Sequence, residues 1–128
     1  MSIKYTSHKA ECDAAVDAAI ARALEICGGT AERYTKENLV KNKSVQSGTL
    51  LGSISHQPMD KYTMAVGTDV KYALYVEIGH HQQPGRFVPA IKKRLVASYV
   101  QGKPFLRPAV ENHREEYERI IKTELSEV

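Results

Sequence analysis

Ser53-Ile54-Ser55-His56-Gln57-Pro58-Met59-Asp60-Lys61-Tyr62-Thr63-Met64-Ala65-Val66-Gly67-Thr68 is the stretch on which the fold turns. Ser53 to Met59 and Tyr62 to Thr68 flank Asp60 and Lys61. Tyr62, Met64 and Val66 alternate with Thr63 and Ala65 as a half-buried strand requires, so the stretch predicts a β-hairpin. Pro58 has no N–H to give to a ladder, which makes the first strand an edge strand or an irregular one.

Working outward toward the N-terminus, Thr49 to Ile54 reads as a short helical turn leading into the extended chain, and Asn42 to Gly48 is polar and turn-like. Before it, Val16, Ile20, Leu24, Cys27, Ala31 and Tyr34 recur at spacings of three or four, the signature of an amphipathic helix. Gly28 and Gly29 would each cost about 1 kcal/mol relative to alanine inside it. The stripe keeps its phase across the pair. The reading is therefore one helix from about His8 to about Lys41, bent at the glycines, rather than two.

Toward the C-terminus, Val70 to Ile78 fits two patterns: Tyr72, Ala73, Val76 and Glu77 share a helical face, while Val70, Tyr72, Leu74 and Val76 alternate as in a strand. Both readings stay open. After Gly79 comes a polar loop, His80 to Gly85, and then Arg86 to Val100, where Phe87, Val88, Leu95, Val96, Tyr99 and Val100 supply one or two further strands limited by Pro89. Pro108 suits the first position of a terminal helix. That helix has a stripe of Val110, His113, Tyr117, Ile121 and Leu125, and Glu111, Glu115 and Glu116 sit near its N-terminal end, where the dipole favours negative charge. The order helix, hairpin, strands, helix predicts one α+β domain spanning residues 1–128. In it a small, mostly antiparallel sheet packs against a long N-terminal helix and a C-terminal helix.

The 128 residues are 42% hydrophobic and 26% charged, the balance of a single packed globular domain and not of a disordered chain. No apolar run approaches the roughly 20 residues that span a bilayer. Met1 to Glu11 lacks the apolar core of a signal peptide, so the chain is expected to stay in the cytoplasm where it is made. Cys12 and Cys27, on one helix, would stand roughly 22 Å apart, too far for a disulfide, and read as small apolar residues facing the core. The formal charge of +3 is unevenly spread. No acidic residue occurs from Ile78 to Val110, a stretch carrying Arg86, Lys92, Lys93, Arg94, Lys103 and Arg107, whereas Glu111 to Val128 holds six glutamates against Arg114, Arg119 and Lys122. Such polarity bears on partners rather than on fold.

Glu77, His80 and His81 are the one cluster with metal-ligand side chains, and Gly79 interrupts the helical spacing that would aim them at one ion; a solvated loop accounts for the histidines, and no metal or cofactor is expected. The sequence has no nucleophile elbow, Walker loop, Rossmann fingerprint or zinc ribbon, and no positioned nucleophile, base and orienting group, so the expectation is a protein that is not an enzyme. Interleaving of cations with Phe87, Tyr99 and Phe105 suits nucleic-acid binding. It equally suits an interface in which the basic stretch of one subunit meets the acidic terminal helix of the next and the contact closes by rotation, or a plain solvated surface with the aromatic residues turned into the core. Arg86, Lys92, Lys93, Arg94, Glu115 and Glu116 are the candidate interface residues.

Three segments carry a resemblance. The first is Ser47-Gly48-Thr49-Leu50-Leu51-Gly52-Ser53-Ile54. The second is Val66-Gly67-Thr68 followed by Tyr72-Ala73-Leu74-Tyr75-Val76-Glu77-Ile78-Gly79. The third is Gly102-Lys103-Pro104-Phe105-Leu106-Arg107-Pro108-Ala109. In this order and spacing they resemble the phage neck and tail-completion family, the head-to-tail joining and tail-terminator proteins of long-tailed phages. The first segment departs from the family pattern, with Gly48 before Thr49 and Gln46 or Ser47 where an aspartate is common.

The resemblance implies a structural virion subunit that assembles as a ring of identical copies, in all expectation a hexamer, at the head–tail junction. Its partners would be the tail-tube protein and head-side neck proteins. DNA would be met only in the ring lumen, and no small-molecule substrate or membrane is involved. The protein would reside in the virion neck or tail, and in the host cytoplasm during assembly. Gly48, Leu51, Ser53, Ile54, Tyr72, Ala73, Val76, Glu77, Gly79, Pro104, Phe105, Leu106, Arg107 and Pro108 are the matched positions. Phe105 and Leu106 should anchor the last helix in the core, with Pro104 and Pro108 stiffening the approach, and Glu77 should pair with a backbone or basic group rather than do acid–base work.

Overall fold

The computed structural model describes residues 7–42, 48–81, 87–88, 93–94 and 99–128. Its first helix, α1, runs unbroken from Lys9 to Lys41, through Gly28 and Gly29. Alanine-rich sequence gives the strongest intrinsic helix preference, and tertiary contacts on two sides offset the cost of the glycines. Its fully buried positions are Ala19, Ala23, Gly28, Ala31, Thr35 and Leu39. That line is displaced from the expected stripe: Val16 is exposed, Ile20, Leu24, Cys27 and Tyr34 are half-buried, and only Ala31 lies fully inside. The reason is that α1 is the shared layer, where neighbours on two flanks approach closely and small side chains fill the centre. Thr35 is admitted to the interior because its hydroxyl donates to the Ala31 carbonyl one turn back, at 2.7 Å. Cys12 is exposed rather than turned to the core.

One flank carries the hairpin. A short helix, α2 (Thr49–Ser53), leads into β1 (Ser55–Asp60), which pairs antiparallel with β2 (Thr63–Gly67). The register runs Ser55↔Gly67, His56↔Val66, Gln57↔Ala65 and Pro58↔Met64, then slips to Asp60↔Thr63. The slip leaves Met59 as the extra residue of a bulge beside Pro58, the irregularity that a proline without a donor foretells. The turn itself is Lys61–Tyr62, one residue later than expected, and the Asp60 carboxylate fixes it by accepting the Tyr62 amide at 2.8 Å.

The ambiguous stretch Val70 to Ile78 is a turn through Tyr72 and helix after it: α3 spans Ala73–Ile78 and stops at Gly79, whose φ of 89° lies in the region that favours glycine. His80 and His81, expected in a loop, instead belong to β3 (Gly79–His81). Two further strands, β4 (Phe87–Val88) and β5 (Lys93–Arg94), pair with each other, and β6 (Tyr99–Gln101) pairs with β3. All three two-stranded sheets are antiparallel.

The other flank of α1 carries the C-terminal helices. These are two, α4 (Leu106–Glu111) and α5 (Arg114–Ser126), where sequence suggested one. Pro108 is the third residue of α4 and not the first; its missing N–H still falls among the amides that a first helical turn leaves unpaired. The Tyr117 hydroxyl donates to the Ala109 carbonyl at 2.6 Å and ties α5 back across the break. The break also turns the face: Val110 and Leu125, expected inside, are exposed. The architecture is α+β, with the long N-terminal helix, the hairpin and the C-terminal helix packed as layers. Among the described residues no helix is long and apolar enough to cross a membrane.

Candidate functional site

The three sequence segments, separated along the chain, meet at one place. Leu50 and Ile54 of the first, Ala73 of the second and Phe105 of the third form one buried cluster with Leu39 of α1. Leu51, Val66, Val70, Val76 and Leu106 pack around it. Phe105 is only 2% exposed. Burial of a phenyl ring on this scale makes it an anchor whose truncation costs about 3 to 5 kcal/mol.

Polar contacts fix the same junction. The Ser53 hydroxyl donates to the Leu50 carbonyl at 2.7 Å and also meets the Thr68 hydroxyl, which joins the first segment to the second. The Thr68 hydroxyl in turn accepts the Val70 amide, turning the chain toward α3. The Glu77 carboxylate then joins the second segment to the third: Oε2 accepts the amides of Phe105 at 2.8 Å and Leu106 at 3.1 Å, and Oε1 accepts that of Arg107 at 3.0 Å. They are the N-cap amide and the first two amides of α4, for which the Phe105 side chain at the N-cap offers no acceptor. Glu77 supplies the cap from another helix. Beside it Lys103 donates its amide to the Val76 carbonyl at 2.8 Å. Gly102 comes so close that a Cβ would stand 2.5 Å from the Ile78 carbonyl carbon.

Sequence reasoning expected Glu77 to pair with backbone or a basic group; the partner is backbone. Both of its oxygens are occupied in this way, and Gly79 ends α3 before His80. Among the described residues no group of His, Cys, Asp and Glu is arranged to hold a metal. Tyr72 and Tyr75 lie on the outer side of α3, 42% and 54% exposed, and are not core.

Two asparagines that sequence reasoning passed over complete the junction. Asn38 Nδ2 donates to the Phe105 carbonyl at 3.0 Å, and Asn42 Nδ2 to the Pro104 carbonyl at 2.9 Å. Their i, i+4 spacing at the end of an apolar helix was the available signal.

Of the candidate interface residues, Arg86 and Lys92 lie outside the described residues, and Lys93 and Arg94 are placed by the backbone pairing of β5. Glu115 is exposed on the first turn of α5. Glu116 is committed within the chain: it accepts the Tyr34 hydroxyl and lies 3.8 Å from His113 Nδ1. The Tyr34 ring stacks on His113 with centroids 3.6 Å apart, and the Arg33 guanidinium lies 4.8 Å from the ring centroid. The hydrogen bond to Glu116 pushes up the pKa of Tyr34. Cys27 Sγ faces the Tyr117 carbonyl, and burial, reinforced by the Glu116 charge, pushes its thiol up; a thiol held protonated is a poor nucleophile.

Comparison with family models, with curated proteins and with solved structures gives no match to this chain.

Proposed function

We propose that this chain is a structural virion component of a long-tailed phage or prophage, acting at the head–tail junction as a neck, tail-terminator or tail-completion subunit. The observation that supports the reading is the convergence of the three family-like segments. Glu77 of the second caps the helix begun by the third, and residues of all three share one core with Leu39. Segments that resemble a family separately, and also interlock, argue for a shared fold more strongly than short matches scattered over unrelated surfaces.

In this reading the protein works by shape and surface complementarity. Identical copies form a ring, a hexamer on the family's pattern. The acid-free stretch Ile78 to Val110 of one copy meets the glutamate-rich terminal segment of the next, and the faces of the ring dock on the tail-tube protein and on head-side neck proteins. DNA passes through the lumen. Catalysis, metal and cofactor play no part in the proposal.

Electron microscopy of purified particles labelled with an antibody to this chain tests it: label at the head–tail junction is expected, and its absence from particles would overturn the reading. The competing reading, a nucleic-acid-binding module using the basic stretch, gains if DNA is bound at about micromolar affinity or tighter with a steep salt dependence.

A further inference from the structure

We infer that the β1–β2 hairpin is fastened to α1 by a proton-dependent latch, in which the imidazolium of His56 is gripped between the carboxylates of Glu25 and Glu32. His56 Nε2 lies 2.8 Å from Glu25 Oε1, and Nδ1 lies 3.5 Å from Glu32 Oε2. The two glutamates are seven residues apart, two turns along one face of α1, and Gly28 stands between them. A Cβ on Gly28 would be 2.7 Å from His56 Cδ2 and 2.9 Å from Met64 Cγ, so the imidazole occupies a notch that glycine alone leaves open. Its side chain is 19% exposed.

The geometry selects the charged ring. A neutral imidazole has one N–H and one lone pair, so in either tautomer a lone pair would face a carboxylate. An imidazolium presents a proton at both ends. Nδ1 is buried and makes no hydrogen bond among the described residues, and its contact with Glu32 is one of charge, favourable only while the ring is protonated.

The surrounding groups agree. On α1, Lys36 Nζ lies 3.9 Å from the other Glu32 oxygen and offsets part of its charge, leaving Glu25 the stronger partner. No residue of β2 or α2 is titratable. On β1, Asp60 accepts the Tyr62 amide at the turn, away from the notch. Next to that turn Lys61 Nζ meets Asp17 at 2.6 Å, an exposed second tether to α1 whose lysine pKa is raised by Asp17 and which therefore stays charged across neutral pH. The His56 end alone responds near neutrality. Its hydrogen bond to Glu25 raises its pKa above the ordinary 6.5, outweighing the opposing effect of burial. For a histidine raised in the folded state, the stabilisation is complete below 6.5 and is lost as pH rises through the folded midpoint.

The test is an NMR titration of the full chain, following the His56 ring protons together with amide-exchange protection in β1–β2 and in α1–α5. The His56 midpoint should lie above 6.5. As pH passes through it, hairpin protection relative to α1 should fall by up to about tenfold for each unit by which the midpoint is raised. Glu25→Gln should lower the midpoint and move the loss of protection to lower pH, while His56→Gln should remove the step. If His56→Gln does not fold, Glu25→Gln, which keeps the ring and the notch, decides the matter alone. A wild-type midpoint at or below 6.5, or a protection ratio that stays flat through the His56 titration, overturns the latch.

Discussion

Glu77 Oε2 accepts the amide hydrogen of Phe105 at 2.8 Å, binding a side chain of α3 to the first turn of a helix 28 residues further along. A helix ordinarily draws its cap from the residue at its own N-terminus. Phe105 occupies that position and is spent on the core, so α4 takes its cap from a distant carboxylate. One residue therefore satisfies the hydrogen bonds of α4 while its neighbour Val76 packs against the same core.

Removing that carboxylate should cost more than an ordinary cap. Glu77→Ala deprives three amides of a charged acceptor and should lower stability by about 2 to 3 kcal/mol, while Glu77→Gln, which keeps one acceptor oxygen without the charge, should lose about half as much. Urea denaturation with an unchanged m-value checks it. An alanine variant within about 0.5 kcal/mol of wild type would show that water replaces the carboxylate without loss.

The adjacent glycines of α1 should respond in opposite directions to the same substitution. A methyl group on Gly29 finds its nearest neighbour, His56 Cε1, only at 4.0 Å, so Gly29→Ala should stabilise by roughly 0.5 to 1 kcal/mol through helix preference. On Gly28 the methyl would collide with the His56 ring and the Met64 stem, so Gly28→Ala should destabilise by about 1 to 3 kcal/mol. Thermal unfolding of the two single variants is sufficient. Equal shifts of the same sign would mean that the hairpin does not rest on this part of α1.

Tyr117 sets an alkaline limit. Burial, aided by the Glu116 charge, pushes its phenol from 10.0 up to about 12, and its hydroxyl donates to the Ala109 carbonyl. Because the folded value is the higher one, this contribution is complete below pH 10.0 and is lost as pH rises toward about 12. Tyr117→Phe should flatten the stability profile over that window and, at neutral pH, cost about 1 to 3 kcal/mol for the carbonyl left without its donor. Ultraviolet titration of the wild type should show a late-ionising tyrosine that is missing from Tyr117→Phe, with Tyr34 still raised in both; identical late phases in the two proteins sink the assignment.

Local patterns told most of the fold and little of its docking. The alternation of Tyr62, Met64 and Val66 marked the hairpin, and Pro58 marked its bulge, because a missing donor acts on the nearest hydrogen bonds. The face of α1 was misplaced because periodicity assumes one neighbour, whereas small residues such as Ala19 and Ala23 fill the interior of a helix packed on two sides. Val70 to Ile78 was undecidable locally; the observed helix is the form that carries Glu77 to the α4 amides. The core positions of the junction, Phe105 above all, were legible from the apolar, proline-flanked segment. Asn38, Asn42 and the His56 notch were not, since each depends on partners more than 20 residues away along the chain.

Assembly offers the last test, and Glu116 narrows it. Because Tyr34 and His113 engage that carboxylate inside the chain, the acidic side of a subunit contact must be carried by exposed neighbours such as Glu115 and Glu118 on α5. Exposed ion pairs are each worth about 0 to 1 kcal/mol and are screened by salt, so in the proposed ring they should orient neighbours without holding free copies together, with the rest assigned to a tail or neck template. Reversing Lys92, Lys93 and Arg94 to glutamate should then reduce incorporation into particles while leaving the thermal midpoint nearly unchanged. Combining that triple reversal with Glu115→Lys and Glu118→Lys should restore part of the loss, since complementary reversal recreates attraction between copies. Electron microscopy of particles made with each variant reads the outcome. Normal tails and normal head attachment with the triple variant would remove the basic segment from the contact, and a loss that the α5 reversals do not relieve would mean that its partner is a different surface.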